Sequence, residues 1–415
     1  MPLRRLKFKD IEQIPHPQVN KEFKQDFTGS SPAPFIGRFG YPQVNIGLLS
    51  PQIPGDTSAY DSPRLWSQQN LPLGTIASRR YSLVNSRARW NVKEISKPGK
   101  LLGITQEVGM ASRPVELEVS LKKQPTLSRT AEKEIIPFGP QAEVSRVRMT
   151  ENPWVDSRVE KTVADTDLKA TPAITNLYQK GFEENFLTKL LSTGNVGLGQ
   201  NRKLVPTRWS ITAVDDTLGK KLITEVKDFP VGECRAYFGG GWGNYYLILF
   251  FPERWSYELF ETYLGHKVNP WSPQRHEPLG RQRDNFPFVR KAGNFYSTDY
   301  EGYEGRKEYA EETAGGYYAA RLAVLEKMKE LKRQGSVLAL RFITSEYNVP
   351  LGVWVCREAG RKAVQEKPLL FASEVLMMNH AREFIQHKFG FDLLVLLRES
   401  RLLRNERQQK KLSEY

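Results

Sequence analysis

Along the second half of the chain, hydrophobic positions alternate between the short apolar runs of buried strands and the three- and four-residue spacing of helices. Apolar or β-branched runs predict strands over Arg208–Val214, Asn244–Phe251, Ser336–Ile343 and Pro350–Cys356. Helical spacing predicts helices over Ala173–Gly194, Trp255–Leu264, Glu304–Arg333 and Ala372–Phe389. Because the elements alternate, we expect an α+β (mixed α/β) fold without an internal repeat.

Two glycines, Gly315 and Gly316, interrupt the predicted helix Glu304–Arg333. Each costs a helix interior about 1 kcal/mol relative to alanine. Either the helix breaks at this pair, or another group approaches its backbone closely. At the end of the predicted helix Ala173–Gly194, Gly194 is a suitable C-terminal cap.

The first half of the chain has the pattern of an ordered, loop-rich region. Residues 15–75 are rich in Pro, Gly and Ser, which excludes long helices, but they also contain aromatic residues that we expect to pin the segment. Ser62 followed by Pro63 predicts the start of a short helix. Strict alternation predicts a half-buried strand over Val115–Lys122, and Tyr81–Val92 is predicted as another.

A polar stretch around Gln124–Asp167 carries few structural signals and is the candidate domain boundary. We therefore expect a Pro/Gly- and loop-rich N-terminal region with short strands over residues 1–165. It would pack on a larger core domain of mixed sheet and helices over residues 166–397. A short basic tail would follow over residues 398–415.

The composition is that of a globular protein with an excess of positive charge. Of the 415 residues, 39% are hydrophobic, 11% aromatic and 26% charged, which argues against wholesale disorder. The net charge of +14 favours a polyanionic partner, most simply nucleic acid. A basic protein without such a partner has the same composition.

The cysteine and hydropathy patterns exclude two other classes. Cys234 and Cys356 are far apart, which excludes a disulfide framework and a Cys-x-x-Cys zinc knuckle and indicates a reducing, cytoplasmic compartment. The longest apolar run, Tyr245–Phe251, is much shorter than the roughly 20 residues of a membrane helix, and no signal peptide precedes it. We expect a cytoplasmic protein without a membrane partner.

The segment Ser192–Asp216 is the strongest candidate for phosphate binding. Its three glycines would let backbone N–H groups approach phosphate, and amides and cations stand beside them. The candidate phosphate or nucleic-acid ligands are Asn195, Gln200, Asn201, Arg202, Lys203 and Arg208. The spacing matches neither a P-loop nor Gly-x-Gly-x-x-Gly, and a glycine-rich connection with solvated arginines has the same pattern.

Asp215 and Asp216 follow the predicted strand Arg208–Val214 and are the candidate catalytic residues. Paired carboxylates hold Mg²⁺ in many nucleases, so Mg²⁺ is the candidate cofactor. Adjacent strand residues point to opposite faces, however, so turn formation at the end of the strand is the alternative role.

A second candidate surface lies in the long helical pattern. Arg306 and Tyr309 are three residues apart there, and Tyr317, Tyr318 and Arg321 follow. Tyrosines beside arginines can stack bases and bind phosphates, which makes Arg306 and Arg321 candidate nucleic-acid contacts. An amphipathic helix with aromatic anchors in the core has the same pattern.

The chain ends in QQKKLSEY, in which Gln409, Leu412 and Tyr415 recur at three-residue spacing. On a 3₁₀ turn this spacing places Leu412 and Tyr415 side by side. Such an apolar pair can insert into a groove on a partner while the lysines add electrostatic attraction. A frayed basic tail is the alternative.

Long stretches resemble the archaeal Nre family of DNA-repair proteins and together cover nearly the whole chain. The matching runs are GSSPAPFIGRFGYPQVNIGLLSPQIPGDTSAYDSPRLW, TPAITNLYQKGFEENFLTKLLSTGNVGLGQNRKLVPTRWSITAVDD, FPERWSYELFE, GRKEYAEETAGGYYAARLAVLE and PLGVWVCREAGRKA. The resemblance implies a role in DNA-damage repair. It also implies a motif that binds the PCNA sliding clamp, Gln-x-x-Leu-x-x-aromatic, at Gln409, Leu412 and Tyr415. Many members begin with a four-cysteine zinc finger; this sequence begins without cysteine, so we expect no zinc.

Three functions therefore stay open. The first is a DNA-repair factor that PCNA recruits and that binds DNA through a basic surface. The second is an enzyme, either a metal-dependent nuclease or a nucleotide-dependent transferase, with its site in residues 192–216. The third is a scaffold that brings partners to the clamp.

Overall fold

The computed structural model describes residues 23–95, 99–125, 137–264, 289–291, 294–347, 349 and 351–408. Over these residues the chain forms twelve α-helices and two mixed sheets, which confirms the α+β class. No helix in the described ranges is long and apolar enough to cross a membrane.

The described residues fall into two compact units. The first lies within Ile14–Leu218 and includes Val349–Gly352, and the second comprises Gly219–Asn348 and Val353–Tyr415 where described. The division therefore lies at residue 218, whereas the polar stretch predicted a boundary near residue 165.

A six-stranded sheet with the order β1-β5-β6-β4-β3-β2 forms the first unit. Its strands are β1 (Asp26–Ser31), β2 (Ala33–Ile36), β3 (Gln43–Ser50), β4 (Val84–Asn91), β5 (Val115–Leu121) and β6 (Gln141–Met149). Only the β4–β6 pair is parallel among these described strands. The strands predicted from alternation, β4 and β5, are confirmed, and the alternating apolar side chains of β5 are buried.

Seven helices begin in the first unit. They are α1 (Pro63–Gln68), α2 (Leu73–Tyr81), α3 (Lys100–Met110), α4 (Ser157–Ala164), α5 (Ala170–Gln179), α6 (Glu184–Ser192) and α7 (Thr207–Val226). The division between the units falls inside α7. The start of α1 is confirmed, with Ser62 as N-cap and Pro63 at the first helical position.

The prediction of one helix over Ala173–Gly194 is wrong, because the chain turns between α5 and α6. Gly181 there adopts a left-handed conformation with φ of +92°, which glycine accepts without steric cost. The predicted end is confirmed: Gly194 has φ of +71° and donates its N–H to the carbonyl of Leu191 at 3.2 Å. The N–H of Asn195 donates to the carbonyl of Leu190 at 3.0 Å, which completes a Schellman cap.

A seven-stranded sheet with the order β10-β11-β9-β12-β8-β7-β13 forms the second unit. Its strands are β7 (Arg235–Gly241), β8 (Asn244–Phe251), β9 (Ser256–Tyr263), β10 (Val289–Lys291), β11 (Asn294–Glu301), β12 (Ser336–Ile343) and β13 (Leu369–Leu370). The two continuous apolar runs are confirmed as the inner strands β8 and β12. The predicted helix over Trp255–Leu264 is wrong, because this segment is β9, which pairs with β11 on one side and β12 on the other.

Five helices complete the second unit: α8 (Ala314–Leu331), α9 (Trp354–Gln365), α10 (Glu374–Phe389), α11 (Leu394–Glu399) and α12 (Arg401–Gln408). The helix α10 is confirmed. The predicted strand Pro350–Cys356 is wrong, because α9 begins at Trp354. Leu351 and Val353 before the helix and the first turn of α9 are all buried, which produces an apolar run like that of a strand.

The long helix predicted over Glu304–Arg333 begins only at Ala314. The glycine pair lies in its first turn, where a Cβ on Gly316 would stand 2.5 Å from Glu261 Oε1 on β9. A close approach to the helix backbone is therefore the reason for glycine at this position. It allows the buried Glu261–Arg341 ion pair to lie under the helix.

Candidate nucleic-acid interface

The glycine-rich loop between α6 and α7 is held by its own polar groups. Arg202 donates from Nε to the carbonyl of Gly197 and from Nη2 to the carbonyl of Val163, both at 2.8 Å. Asn195 is buried and donates to the carbonyl of Gln106 at 2.9 Å. These two predicted phosphate ligands therefore stabilise the loop.

Other predicted ligands in the loop reach solvent. Gln200 and Asn201 are exposed on the 3₁₀ turn Gly199–Asn201, and Lys203 is exposed after it. Arg208 is half-buried in the first turn of α7. The loop therefore presents part of the predicted set outwards, at the point where α7 begins.

The predicted strand Arg208–Val214 is wrong, because this segment opens the helix α7. Asp215 and Asp216 consequently lie inside a helix, where the side chain of Asp215 is fully buried and that of Asp216 half-buried. Throughout the described ranges, no group of three or more His, Cys, Asp or Glu side chains is placed to hold a metal ion. The aspartate pair is thus not the strand-end pair that the sequence predicted.

Arg306 and Arg321 are used inside the second unit. Arg306 lies in a turn before α8, donates to the carbonyl of Tyr300 at 2.9 Å and pairs with Asp299 at 3.0 Å. Arg321 is 1% exposed and pairs with the fully buried Glu301 at 2.8 Å. The predicted common helical face of Arg306 and Tyr309 is wrong, because the helix begins after both.

Gln409, Leu412 and Tyr415 lie outside the described residues, directly after α12. The start of α12 is anchored by Glu258 on β9, whose carboxylate accepts hydrogen bonds from Ser400 Oγ at 2.5 Å and from the N–H of Leu402 at 3.0 Å. Burial raises the pKa of Glu258, while these donors oppose the rise. The helix that precedes the tail is therefore fixed to the sheet.

Exposed aromatic rings and arginines meet in the first unit and form what we call the aromatic–arginine surface. Phe39, Tyr41 and Trp209 are 61%, 45% and 45% exposed, respectively. The members of the surface are Arg38, Phe39, Tyr41, Arg89, Arg208 and Trp209. The sequence predicted only Arg208.

The connection between β2 and β3 presents two of these rings. Gly40 has φ of +83°, and a Cβ there would stand 2.8 Å from the carbonyl oxygen of Gln43, so the turn requires glycine. Arg89 on β4 holds the turn by donating from Nη1 to the carbonyls of Phe39 at 3.1 Å and Gln43 at 2.7 Å. Backbone geometry thus places Phe39 and Tyr41 in solvent on a braced turn.

The first turn of α7 supplies the third ring. The N–H of Ile36 donates to Thr207 Oγ1 at 2.9 Å and joins β2 to this helix end. The rings of Tyr41 and Trp209 lie 5.3 Å apart between centroids, inclined at 53°. Arg38 Cζ lies 4.6 Å from the centre of the Phe39 ring.

This arrangement can bind unpaired bases. Every nucleobase has a π-face that stacks on an aromatic ring, and guanidinium groups beside the rings attract phosphate. The rings are poor candidates for core anchors because about half of each is in water. The signal in the sequence was aromatic residues alternating with Arg and Gly in RFGYP and TRW.

Comparison with known proteins matches two family descriptions to consecutive parts of the chain, and the first extends beyond the structural division at residue 218. The family description "Archaeal Nre, N-terminal" matches residues 8–272, and "Archaeal Nre, C-terminal" matches residues 301–415. The chain is 37% identical over 344 residues to DNA repair protein NreA of Haloferax volcanii, a match covering 82% of this chain and 78% of the relative.

Relatives in Archaeoglobus fulgidus match over similar lengths. The chain is 34% identical to its DNA repair protein NreB over 95% of this chain and 92% of the relative. The chain is also 34% identical to DNA repair protein NreA of the same organism, over 85% of this chain and 84% of the relative. No solved structure matches the chain. Since the two family descriptions match most of its length, the chain belongs to the archaeal Nre family.

Proposed function

We propose that this chain is a DNA-repair factor that binds unpaired DNA at the aromatic–arginine surface and is recruited by the PCNA sliding clamp. Relatives that match at least 82% of the chain carry the name DNA repair protein, which supports the repair role. The net charge of +14 supports a polyanionic partner.

The aromatic–arginine surface is the observation that carries the DNA-binding part. Three half-exposed rings lie on a braced turn and at a helix start, where Arg38 lies over Phe39, Arg89 holds the turn and Arg208 precedes Trp209. In a duplex the base faces are covered by neighbouring bases, so exposed rings favour single-stranded DNA. Stacking of one base on such a ring is worth roughly 1–3 kcal/mol.

The clamp-binding part rests on Gln409, Leu412 and Tyr415. Their spacing matches Gln-x-x-Leu-x-x-aromatic, and they follow a helix whose start is anchored by Glu258. A peptide that begins close to a fixed helix has fewer conformations to lose on binding than one on a long linker. The adjacent lysines favour an acidic rim on the partner.

DNA binding is tested by fluorescence anisotropy with a labelled oligothymidylate. Trp209→Leu should weaken binding roughly 5- to 100-fold, the effect of one lost stacking contact. Arg208→Gln should lower the dependence of log K on log salt by about 0.7, as expected for one phosphate contact on a single strand.

The matched control is Tyr303→Leu, which removes a 39%-exposed ring that also lies beside a cation, in the second unit. It should leave affinity unchanged. Wild-type affinity in both Trp209→Leu and a Phe39→Leu variant would show that DNA does not bind at this surface.

Recruitment is tested by surface plasmon resonance on the immobilised cognate clamp. Leu412→Ala and Tyr415→Ala should each abolish binding, because each removes half of the apolar pair. Gln408→Ala, one residue before the motif, should bind like wild type. Unchanged binding after removal of residues 409–415 would exclude this docking mode.

A further inference from the structure

A cavity of about 270 Å³ lies in the first unit, apart from the exposed rings. Its lining includes Asp61, Arg113, Asn185, Phe186 and Lys189. A smaller cavity of about 40 Å³ shares Asp61, Asn185 and Lys189 and is bounded by residues of the first turns of α7. We call the larger one the Lys189 cavity.

One wall of the Lys189 cavity is a stack of aromatic rings between two cations. Arg158 Cζ lies 4.8 Å from the centre of the Phe182 ring, and Phe182 stacks on Phe186 with centroids 5.2 Å apart. Lys189 Nζ lies 5.6 Å from the centre of the Phe186 ring. Both rings are half-exposed, and because Arg158, Lys189 and the neighbouring ring cover their faces, a ligand can contact them at their exposed edges.

The base of the cavity carries fixed hydrogen-bonding groups. Asp61 accepts from Arg80 Nη1 at 2.6 Å and from Asn185 Nδ2 at 2.9 Å, which holds its carboxylate in place. Asn185 Nδ2 also donates to the carbonyl of Asp61 at 2.9 Å. A carboxylate and an amide held in this way can read the polar edge of a base.

Two cations reach the cavity from different elements. The Lys189 ammonium donates to the carbonyl of Pro32 at 3.2 Å, and its other N–H groups can serve a ligand. Burial lowers the pKa of Lys189, while Asp61 and Glu183 oppose the change. Arg113 lies at the rim, with its Cζ 5.2 Å from the ring centre of the exposed Trp154.

We propose that the Lys189 cavity binds a single nucleotide unit, with the base against the exposed edges of the Phe182–Phe186 pair and the phosphate between Lys189 and Arg113. The volume lies just below the ~300–1,000 Å³ of ordinary small-molecule sites, which suits one nucleotide and excludes a duplex. The proposal rests on nucleic acid being the partner of this chain. The unit can be an unstacked nucleotide of a DNA strand or a free mononucleotide.

The variants for the test are Lys189→Gln, which removes the cation, and Phe186→Leu, which removes one ring but keeps the site apolar. Lys227→Gln is the matched control, because Lys227 also lies over an aromatic ring, that of Tyr303, at 4.2 Å in the second unit. Thermal melts establish that each variant is folded, and Phe186→Leu serves if Lys189→Gln is not.

Two binding measurements distinguish an unstacked nucleotide of a DNA strand from a free mononucleotide. Calorimetry measures dAMP binding, and anisotropy measures an oligothymidylate. A loss of roughly 10- to 100-fold for both probes, with Lys227→Gln unchanged, supports a site for any nucleotide unit. A loss for the oligonucleotide alone assigns the site to a nucleotide within a strand, and a loss for dAMP alone assigns it to a free nucleotide.

Wild-type binding of both probes by Lys189→Gln and Phe186→Leu would overturn the proposal. If Trp209→Leu still loses oligonucleotide affinity in that case, the aromatic–arginine surface stands and only the cavity is wrong. If Trp209→Leu and Phe39→Leu also bind like wild type, both the cavity and the surface are wrong.

Discussion

Breaking the buried ion pair between Arg321 and Glu301 tests whether Arg321 has a structural role or a DNA-binding role. Arg321 Nη1 lies 2.8 Å from Glu301 Oε2, and the two side chains are 1% and 0% exposed. The guanidinium also lies over the rings of Tyr317 and Tyr318, at 5.6 and 5.3 Å from their centres. Arg321→Met would keep the length of the side chain but remove its charge. Glu301 would then stay buried without the cation that residue 321 supplies.

Removing one partner of a buried pair costs about 3–5 kcal/mol, because the remaining charge stays desolvated. For a compact unit of about 150–250 residues, each kcal/mol lowers Tm by about 2–4 °C, so Arg321→Met should lower the Tm of the second unit by roughly 6–20 °C. The double variant Arg321→Met/Glu301→Gln should recover part of this loss, since it leaves no unpaired charge.

The assay is thermal unfolding by circular dichroism, with oligonucleotide anisotropy measured well below the transition. DNA affinity should be unchanged, since Arg321 lies in the interior. A Tm within about 1 °C of wild type together with lost DNA affinity would refute the structural role of Arg321. It would support the DNA contact that the sequence pattern predicted.

Three further predictions follow from buried or capping groups. Gly316→Ala should lower stability by about 1–3 kcal/mol in urea unfolding, because its Cβ would stand 2.5 Å from Glu261 Oε1; wild-type stability would contradict this approach. Burial raises the pKa of Cys356 to about 11, so iodoacetamide at pH 8 should label this thiol slowly in native protein and fully in urea. Equal labelling rates in native protein and in urea would contradict its burial. Hydrogen bonds from Arg158 lower the pKa of Asp156 from 3.8 to about 2. This N-cap of α4 should therefore stabilise the helix above pH 3.8 and cease to do so as the pH falls through 2. An NMR titration midpoint of Asp156 near 3.8 would contradict the prediction.

The elements that could be predicted from the sequence are those with a single structural explanation. Asn244–Phe251 is too short for a membrane span and too continuously apolar for a surface helix, so an inner strand remained. Ser62–Pro63 and Gly194 mark helix ends through backbone conformations that few residues accept. Local chemistry fixed these positions without help from distant residues.

The segments that were predicted wrongly are buried on more than one side or rich in β-branched residues. In β9 both faces are covered, so polar and apolar residues do not alternate and Glu258 and Glu261 gave the appearance of a helix. In α7, Ile211, Thr212 and Val214 favoured a strand. The better signal was that its buried positions recur every four residues, which is helical spacing. These positions are Ser210, Val214, Leu218, Leu222 and Val226.

The binding surface depends on contacts between distant segments, which the sequence pattern does not contain. The aromatic residues within 15–75, which include Phe39 and Tyr41, were expected to pin the segment, because composition does not distinguish a buried ring from an exposed one in a loop. Their exposure follows from the turn at Gly40, which Arg89 braces from another strand. Arg321 looked like a phosphate ligand because its partner, Glu301, is twenty residues earlier.

Photocrosslinking tests the central claim most directly. A single-stranded oligonucleotide with 5-iodouracil would be irradiated with the full-length protein, and mass spectrometry would identify the crosslinked residues. Because 5-iodouracil reacts with rings in stacking contact, crosslinks should appear at Phe39, Tyr41 or Trp209. Crosslinks confined to the second unit, with none at these three rings, would contradict the assignment of DNA binding to the aromatic–arginine surface.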